Sequence, residues 1–562
     1  MYLLKIRKKI ENILNKKYNT KFEIKINNKN NFDFNIDFDF YLPLFSYAKK
    51  MNQKIEFFFN EVKTELESLK EIEKIFFQKG FLNIKINQSS IIKKIILNIL
   101  NKKKNKSKKK TIVLDYSSPN IAKNFSIGHL RSTIIGNSLK NIYQKLGFKT
   151  ISINHLGDWG MQFAKMILAY RKWGEKEIIL KDPINELQKL YIMFHQKEKE
   201  DEELTEEARE IFKKLENQNK DEIKLWKWFK KISLKEFKKI YKLLNISFDY
   251  YIGESFFHKK TIKLVNYLKK RKMIKLDKEA YIMNLKNMPP ALIQKKNGSY
   301  LYLTRDIACA LFRYKKFNFD KMLYIVGKEQ KLHFQQLFQI ILKMGYNFKL
   351  ENIHFGLILS NNEKISTRKN NDYNLKKIID QTSKQVIKII KNKNPNLKRA
   401  KKIAEKIAVG AIIFNDLKND RNLDIQFDLN KMLKFEGDTG PYLQYTIVRF
   451  NSIIKKMKKI ENNNYSLTKI IRCYNNKYYF DIIKLLDQFN LILEKSKKEN
   501  MPSILARYLL KLTKNANKFY AQEKVLGKNQ LVNKANFLFI KTILIIMKES
   551  LEILGIPILD KM

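Results

Sequence analysis

The sequence is poor in cysteine and has no long uncharged apolar run. Its two cysteines, Cys309 and Cys473, lack the spacing of metal ligands and are too few for a disulfide framework. A membrane-spanning helix needs about 18 consecutive apolar residues, and the sequence has no such run. The opening MYLLKIRKKIENIL is too charged for a secretory signal. We therefore expect a reduced, cytoplasmic protein with no membrane partner and no structural metal.

Acidic residues are half as numerous as basic ones. The chain has 56 Asp and Glu against 112 Lys and Arg, a formal net charge of +56. Such an excess favours a polyanionic partner, because lysines that neutralise phosphates release counterions. However, only 13 of the basic residues are arginine, and Lys, Asn, Ile, Phe and Tyr are abundant throughout. Drift in a nucleotide-biased genome would produce the same composition, so the sequence leaves both explanations open.

The 562 residues exceed one ordinary hydrophobic core, so we expect several domains. Residues 1–100 mix a helical start, the aromatic alternation FDFNIDFDF and the strand pattern GFLNIKIN. The basic run NKKKNKSKKK at 101–110 is typical of a solvated linker. Residues 111–375 have an α/β pattern, and the charged residues of about 175–250 are predicted as a helical insertion. From 376 to 562 the periodicity is helical and predicts a bundle.

Several short apolar runs within 111–375 are predicted strands. They are TIVLDY, FKTISINHLGD, KMLYIVG and IHFGLIL, the last two separated by the helical run KLHFQQLFQIILKMGY. In IQKKNGSYLYLT, Asn297 and Gly298 are the residue types that supply two positive-φ positions in a tight hairpin turn. Strands alternating with helices predict an open α/β sheet, which binds ligands at the carboxyl ends of its strands.

The stretch SSPNIAKNFSIGHLRSTIIG (117–136) follows TIVLDY and turns at Pro119. Gly128 and His129 stand where a helical pattern begins, and a strand, a turn and a helix together direct free backbone N–H groups at one point. A phosphate binds well there, and Gly128 allows close approach because it has no Cβ. Lys123 adds a positive charge. A Gly-His pair alone is weak evidence, because a histidine at a helix start is more often a structural cap.

A second stretch, GLILSNNEKISTRKNN (356–371), runs from an apolar strand into a loop with Lys364, Arg368 and Lys369. Such a loop can close over a triphosphate and neutralise the leaving pyrophosphate. In a lysine-rich chain the cluster alone is poor evidence.

Further polar groups follow other predicted strands, where an open sheet binds ligand. Each of them alone would be read as a turn or cap residue. They are Tyr302, Asp306, Gln330, His333, Gln336, Asp158 and Trp159.

These stretches resemble the motifs of one family, the arginyl-tRNA synthetases of class I. SSPNIAKNFSIGHLRSTIIG resembles the HIGH signature region, and EKISTRKN resembles the KMSKS loop in a variant with threonine and arginine after the serine. NHLGDWGMQF, YLYLTRDIACAL, EGDTGPYLQYTIVR and the final GIPILDKM resemble further hallmarks. The similarity extends from about residue 109 to the end, and more weakly over the first hundred residues.

The resemblance implies that arginine and ATP form arginyl-adenylate, and that the arginyl group then passes to the 3′ end of its tRNA. The implied partners are ATP with Mg²⁺, L-arginine and tRNA, and the implied state is a monomer. The implied fold is a Rossmann-like catalytic domain, an N-terminal α+β domain that contacts the tRNA elbow, and a C-terminal α-helical anticodon-binding domain. Family members generally need tRNA for the first step.

The resemblance also implies roles for individual residues. Catalysis and ATP binding at the signature region are carried over to Pro119, Asn120, Lys123, Ser126, Gly128 and His129. ATP binding at the KMSKS-like loop is carried over to Lys364, Ile365, Ser366, Thr367 and Arg368. Arginine binding is carried over to Asp115, Ser117, Asn120, Tyr302, Asp306 and Gln330. Contacts with tRNA are carried over to Tyr442, Gln444, Tyr445 and Met562.

The proposed carboxylates suit the substrate, because a guanidinium has five donors in a plane and pairs well with carboxylates. Asp115 and Asp306 therefore argue against an apolar or anionic amino acid. The usual second lysine of the KMSKS loop is absent, and in this family Lys123 is thought to supply its charge.

One position departs from the signature: Ser126 replaces its first histidine. A serine reaches less far and does not become cationic, and losing one transition-state donor costs about 2.7–4 kcal/mol in well-studied hydrolases. We therefore predict a slow enzyme, not an inactive one. Two alternatives remain: a degenerate synthetase that binds tRNA without activating an amino acid, and a class I synthetase for another amino acid.

Overall fold

The computed structural model describes residues 2–27, 38–101, 107–360, 363–364, 374–458 and 465–562. By their contacts, the residues form two compact units. The first unit comprises Met1–Lys104, Thr446–Glu494 and Tyr508–Glu549. The second comprises Asn105–Tyr445, Lys495–Arg507 and Ser550–Met562. Each unit therefore combines segments that are distant in sequence.

The N-terminal part of the first unit is an α+β fold with a four-stranded antiparallel sheet, in the order β1-β2-β4-β3. Its elements are α1 (Tyr2–Tyr18), β1 (Lys25–Ile26), β2 (Phe40–Pro43), α2 (Phe45–Lys50), α3 (Ile55–Glu67), β3 (Ile72–Gln78), β4 (Phe81–Ile86) and α4 (Gln88–Leu100). The predicted strand GFLNIKIN is β4. Most of FDFNIDFDF lies outside the described residues. On α3, the helical spacing of Phe58, Val62 and Leu66 gives one buried face.

The second unit contains a five-stranded parallel sheet in the order β12-β11-β5-β6-β7. Its strands are β5 (Lys108–Asp115), β6 (Phe148–Asn154), β7 (Tyr250–Tyr251), β11 (Lys321–Gly327) and β12 (Lys349–Phe355). The chain runs outward from β5 to β7 and then returns to the other side of β5 with β11 and β12. This is the 3-2-1-4-5 strand order of a Rossmann-like sheet, and its switch point lies at the carboxyl end of β5. The predicted Rossmann-like fold is confirmed.

Helices surround this sheet. They are α5 (Ile127–Lys145), α6 (Met161–Trp173), α7 (Lys176–Lys181), α8 (Pro183–Lys197), α9 (Glu203–Glu216), α10 (Lys220–Leu243), α11 (His258–Lys270), α12 (Tyr302–Phe317) and α13 (Lys331–Lys343), with 3₁₀ turns at Glu254–Phe257 and Lys328–Gln330. A small antiparallel sheet precedes α12; its strands are β8 (Lys275–Asp277), β9 (Ala280–Leu285) and β10 (Met288–Gln294). Helices α7 to α10 occupy the region predicted as a helical insertion.

Three local predictions need correction. Lys108–Lys110, assigned to the linker, already belong to β5, because Lys108 pairs with Phe148. The run IHFGLIL is not one strand: it is divided between β12 and β13 (Ile358–Ser360), and β13 pairs instead with β14 (Glu363–Lys364) and β15 (Ile425–Gln426). The Asn297-Gly298 turn has a positive φ only at Gly298, and a single bridge closes it before α12 begins.

Helix α5 packs very closely on the end of β5. A Cβ on Gly136 would lie 2.2 Å from the Tyr116 ring, so only glycine permits this approach. One turn earlier, Ser132 Oγ accepts from the backbone N–H of Ser117 and donates to the carbonyl of Ile325 in β11. These contacts hold the amino end of α5 at the switch point.

The remaining described residues are almost entirely helical, as predicted. Their helices are α14 (Leu375–Lys393), α15 (Ala400–Leu417), α16 (Leu429–Met432), α17 (Gly440–Lys458), α18 (Leu467–Arg472), α19 (Lys477–Glu499), α20 (Pro502–Gln522) and α21 (Gln530–Leu554). No helix among the described residues is long and apolar enough to cross a membrane. The helical periodicity predicts a C-terminal domain from 376, whereas the contacts group residues up to Tyr445 with the parallel sheet.

Candidate active site

The loop after β5 has an unusual backbone. Ser117, Ser118 and Ala122 have positive φ values of 77°, 47° and 59°. The loop is held by the segment after β6: Gly157 N–H donates to the Pro119 carbonyl, and Ile121 N–H donates to the Gly157 carbonyl, each at 3.1 Å. A Cβ at residue 157 would lie 1.8 Å from Asn120 Oδ1. Gly157 therefore provides the space that the Asn120 amide occupies.

At the start of α5, Ser126 and His129 cap the helix reciprocally. The backbone N–H of Ser126 donates to His129 Nδ1 at 3.2 Å, and Ser126 Oγ lies 3.0 Å from the same nitrogen. Burial, and then the positive charge of Lys123, lower the pKa of His129 to about 4. Because Nδ1 accepts a hydrogen bond, the neutral ring carries its proton on Nε2. His129 is therefore both a cap and a neutral donor.

Asp115 ends β5 at the switch point, and its carboxylate is buried. Arg313 Nη1 of α12 donates to Asp115 Oδ2 at 2.5 Å, while Ser118 Oγ donates to Oδ1 at 3.2 Å. The side chain of Arg313 is 0% exposed. The family resemblance implies a substrate guanidinium at Asp115, and in the structure a guanidinium of the protein itself, that of Arg313, lies there.

Asp306, on α12, lies close to two histidines that follow strands of the parallel sheet, His155 after β6 and His333 after β11. His333 Nε2 of α13 donates to Asp306 Oδ2 at 2.7 Å, and His155 Nε2, directly after β6, lies 4.0 Å from Oδ1. Burial raises the pKa of Asp306, but the hydrogen bond from His333 and the nearby charges outweigh burial and lower it. Burial and the charge of Arg313 lower the pKa of His155. The two carboxylates thus lie at the same edge of the parallel sheet.

Tyr302 begins α12 and is 61% exposed, one turn before Asp306. The guanidinium of Arg305 lies 5.1 Å from its ring centre, and Arg305 Nε lies 3.2 Å from Glu254 Oε2. Burial raises the pKa of Glu254 to about 8, although the charge of Arg305 opposes this. Gln330, at the end of the 3₁₀ turn after β11, is exposed.

Some polar residues that the sequence singled out have structural contacts instead. Ser117 is buried, and its hydroxyl lies 2.8 Å from both Tyr241 OH and Thr133 Oγ1. Asp158 is fully buried, paired with Lys230 and hydrogen-bonded by the backbone and hydroxyl of Ser255. The expectation that Asp158 lines a ligand site is therefore wrong. Its carboxylate connects the segment after β6 with α10, through Lys230, and with the 3₁₀ turn at Glu254–Phe257, through Ser255.

The cationic residues are placed only in part. Lys123 lies 5.0 Å from the centre of the Tyr191 ring on α8. The backbone of Lys364, in β14, pairs with Leu359 of β13. Ile365, Ser366, Thr367 and Arg368 lie outside the described residues. The strand that leads into this loop is anchored by Arg131 of α5. Its buried guanidinium donates to the Gly356 carbonyl at 2.7 Å and pairs with Asp416.

Two family models match the chain. Residues 91–429 match the model described as tRNA synthetases class I (R), catalytic domain. Residues 443–562 match the DALR anticodon binding domain. The first match covers more than half of the chain and includes Asp115, His129, Asp306 and Arg313.

Curated relatives agree with these models. The arginine–tRNA ligase 1 of Bacillus cereus is 39% identical over 534 residues, which cover 92% of this chain and 93% of that protein. The arginine–tRNA ligase of Lactobacillus johnsonii is 42% identical over 485 residues, covering 85% of each. The chain belongs to the arginyl-tRNA synthetase family.

Solved structures of arginyl-tRNA synthetases have the same fold. The Plasmodium falciparum enzyme matches with a TM-score of 0.76 at 25% identity, covering 99% of this chain and 98% of that one. The Thermus thermophilus enzyme matches with a TM-score of 0.80 at 20% identity over 100% of both chains.

In this arginyl-tRNA synthetase, the four predicted tRNA contacts differ in exposure. Gln444 is buried, and its amide donates to the carbonyls of Lys406 and Pro557, so it is not available as a surface contact. Tyr442 is half-buried. Tyr445 and Met562 line one cavity of about 690 Å³, together with Lys434, Phe435 and Glu436. That cavity brings together residues from distant parts of the sequence.

Arg313 and His155 lie beside Asp115 and Asp306 but are not among the site residues predicted from the sequence. Arg313 follows Tyr302 and Asp306 on the same helical face, at separations of eleven and seven residues, and this spacing was the available signal. His155 immediately follows β6, as Asp306 and His333 follow other strands, so its position at a strand end was also readable.

Proposed function

We propose that the protein is an arginine–tRNA ligase. The carboxylate of L-arginine attacks the α-phosphorus of ATP to give arginyl-adenylate and pyrophosphate. The terminal 3′ hydroxyl of the tRNA then attacks the activated carbonyl and releases AMP. Membership of the arginyl-tRNA synthetase family supports this proposal. The observation that carries it is that both carboxylates lie at the carboxyl edge of the parallel sheet, near the amino end of α5. Asp115 ends β5, and Asp306 accepts from His333, which follows β11.

ATP binding is proposed at the amino end of α5. Gly128 is exposed there, and the free N–H groups of a helix amino end attract phosphate. His129, neutral with its proton on Nε2, donates without adding charge, and Lys123 supplies a positive charge. Lys364, Ile365, Ser366, Thr367 and Arg368 are proposed to complete the site. Mg²⁺ enters as the ATP complex; among the described residues no group of His, Cys, Asp or Glu is arranged to hold a metal.

Arginine binding is proposed between α12 and the loop after β5. Asp306 keeps a lowered pKa, so its carboxylate remains charged and accepts from the substrate guanidinium. Tyr302 lies one turn away on the same face. Asp115 has two hydrogen bonds on its carboxylate, which leaves acceptor capacity for a third donor. Asn120 in the loop and Gln330 after β11 are proposed to hold the α-amino and carboxylate end, and Pro119 is proposed to shape the loop beside the ATP site. The contacts of Ser117 make its part indirect.

Contacts with tRNA are proposed for residues 1–100 and for the C-terminal helices. The DALR match supports anticodon binding by residues 443–562. Tyr445 and Met562, on one cavity wall, are the proposed contacts there, with Tyr442 beside them. We further propose that the enzyme acts as a monomer in the cytoplasm, where aminoacyl-tRNA is used in translation.

The test is arginine-dependent exchange of pyrophosphate into ATP, with and without the cognate tRNA. We expect exchange with L-arginine that increases strongly when tRNA is added. Exchange with an amino acid other than arginine, and none with arginine, would indicate a synthetase of different specificity. No exchange with any amino acid, together with retained tRNA binding, would indicate a degenerate synthetase and overturn the proposal.

A further inference from the structure

Arg313 is a buried arginine with very few polar contacts. Its side chain is 0% exposed, and among the described residues its one hydrogen bond is the 2.5 Å bond from Nη1 to Asp115 Oδ2. Its Nε and Nη2 have no hydrogen-bond partner in the described part of the chain. A buried guanidinium is costly unless it is paired, so this arginine depends on a single carboxylate.

The position of Arg313 on α12 connects it with the proposed arginine site. Tyr302, Asp306, Cys309 and Arg313 are spaced by four, three and four residues and therefore share one face of the helix. Cys309 and Arg313 are buried, whereas Tyr302 at the amino end is exposed. The same face thus carries the proposed substrate contacts at its amino end and the partner of Asp115 two turns further on.

The Asp115 carboxylate needs such a partner. It is 7% exposed at the end of a central strand, and a buried carboxylate without a cation or donors is strongly unfavourable. Arg313 occupies one oxygen and Ser118 the other, so the plane of the carboxylate is defined by two bonds from different elements. The Arg313 guanidinium is planar and its N–H bond to Oδ2 is directional, whereas the ammonium of a lysine is a point charge on a flexible stem.

We propose that Arg313 is a positioning residue for arginine selection: its buried guanidinium holds the Asp115 carboxylate in the orientation that receives the side chain of the substrate. The inference rests on the proposed role of Asp115 in the arginine site. Arg313 itself touches no substrate. It acts through Asp115, and it prevents this carboxylate from turning towards other donors.

The experiment measures pyrophosphate exchange by the full-length protein with tRNA, with separate titrations of L-arginine and ATP. In Arg313→Met, which removes the charge and the donors, we expect the KM for arginine to rise at least about tenfold while the KM for ATP changes less than about twofold. Arg313→Lys restores the charge without the fork and should recover part of the loss. In an Asp115→Asn background, Arg313→Met should add little, because the group that Arg313 positions is already altered.

Arg131→Met is the matched control, because Arg131 is also buried and paired with a carboxylate, Asp416. It should lower the melting temperature without a selective rise in the KM for arginine. A folded Arg313→Met protein with a KM for arginine within about twofold of the parent would overturn the inference, and so would additive effects in the double variant. If Arg313→Met does not fold, Arg313→Lys takes its place: it keeps the charge without the directional guanidinium, and a KM for arginine equal to that of the parent would overturn the inference.

The two proposals fail in different ways. An unchanged KM for arginine in Asp115→Asn would remove Asp115 from the arginine site and with it the proposed role on which this inference rests. A raised KM in Asp115→Asn, together with a normal KM in Arg313→Met, would reject only the positioning role of Arg313.

Discussion

Single side chains determine the chemistry available at the amino end of α5. Ser126 holds His129 by its backbone N–H and its hydroxyl, and the ring is neutral because its pKa is lowered to about 4. The site thus has one neutral histidine donor where the family signature has two histidines. The backbone bond to His129 does not depend on the identity of the side chain at 126, so a histidine there can add a donor without removing that bond.

Ser126→His should therefore accelerate arginyl-adenylate formation. We expect an increase of about tenfold or more, since one transition-state donor contributes about 2.7–4 kcal/mol in hydrolases. Single-turnover measurements of adenylate with saturating arginine, ATP and tRNA check this. Ser126→Ala is the control, because it removes the hydroxyl without adding a donor. No gain in the histidine variant would show that Ser126 does not limit the rate.

Glu254 predicts a pH dependence of stability. Its pKa is raised to about 8 in the folded protein, chiefly by burial, above the ordinary value of 4.5. The folded state therefore holds a proton that the unfolded state has released, so the free energy of unfolding falls as pH rises from about 4.5 to about 8. Glu254→Gln resembles the protonated acid but does not titrate, so its free energy of unfolding lacks this contribution to the pH dependence. Its melting temperature should rise relative to that of the parent between pH 5.5 and pH 8.5; a constant difference would contradict the shifted pKa.

At the scale of elements, the site depends on the close approach of segments that follow neighbouring strands. The loop after β5 and the segment after β6 exchange backbone hydrogen bonds through Gly157, and the Asn120 amide lies against that glycine. Helix α5 reaches the same place because Gly136 lets it pack on Tyr116. At both glycines a neighbouring side chain lies directly against the backbone, so neither position has room for a Cβ.

Gly157→Ala should displace Asn120. The new Cβ would lie 1.8 Å from Asn120 Oδ1, so the amide must rotate away from its present position. We expect the KM for arginine to rise about tenfold, because Asn120 is proposed to bind one end of the substrate. Gly527→Ala is the control, since its Cβ would meet only the Lys524 side chain at 3.9 Å. Equal kinetics in both variants would remove Asn120 from the site.

The sequence predicted the elements of the parallel sheet well, because each buried strand is a short apolar run. The four predicted runs correspond to four of the five strands, and the two-residue β7 is not among them. The error in IHFGLIL arises where one apolar run contributes to two sheets. The turn at Gly356 separates them, and the carbonyl of this residue is held by Arg131, 225 residues earlier in the chain. Periodicity within a window does not reveal such a long-range contact.

For the whole molecule, the excess of positive charge has two explanations, a surface that binds tRNA and compositional drift. The formal charge of +56 would serve tRNA binding only where lysines meet phosphates. Exchange measurements of the arginine site do not answer this, because the relevant partner is the polyanion.

The KM for tRNA should therefore depend steeply on salt. Between about 50 and about 200 mM salt we expect it to rise by at least about tenfold, because several phosphate contacts release counterions. The KM for arginine, measured in the same buffers, is the control and should change little. A weak dependence of the KM for tRNA on salt would favour compositional drift as the origin of the lysines.

The sequence by itself determined the α/β and helical regions, because apolar periodicity and turn residues are local properties. Its resemblance to the arginyl-tRNA synthetases, not periodicity, implied the signature at Ser126–His129 and the candidate carboxylates Asp115 and Asp306. Only the tertiary structure decided which partners those groups have. Arg313 pairs with Asp115, from which it is separated by 198 residues of sequence. The side chains of Gln444 and Ser117 form hydrogen bonds within the protein. The physical reason is that burial and pairing depend on which elements pack together. The sequence shows that a residue is a carboxylate or an amide, but not whether it contacts solvent, substrate or another side chain.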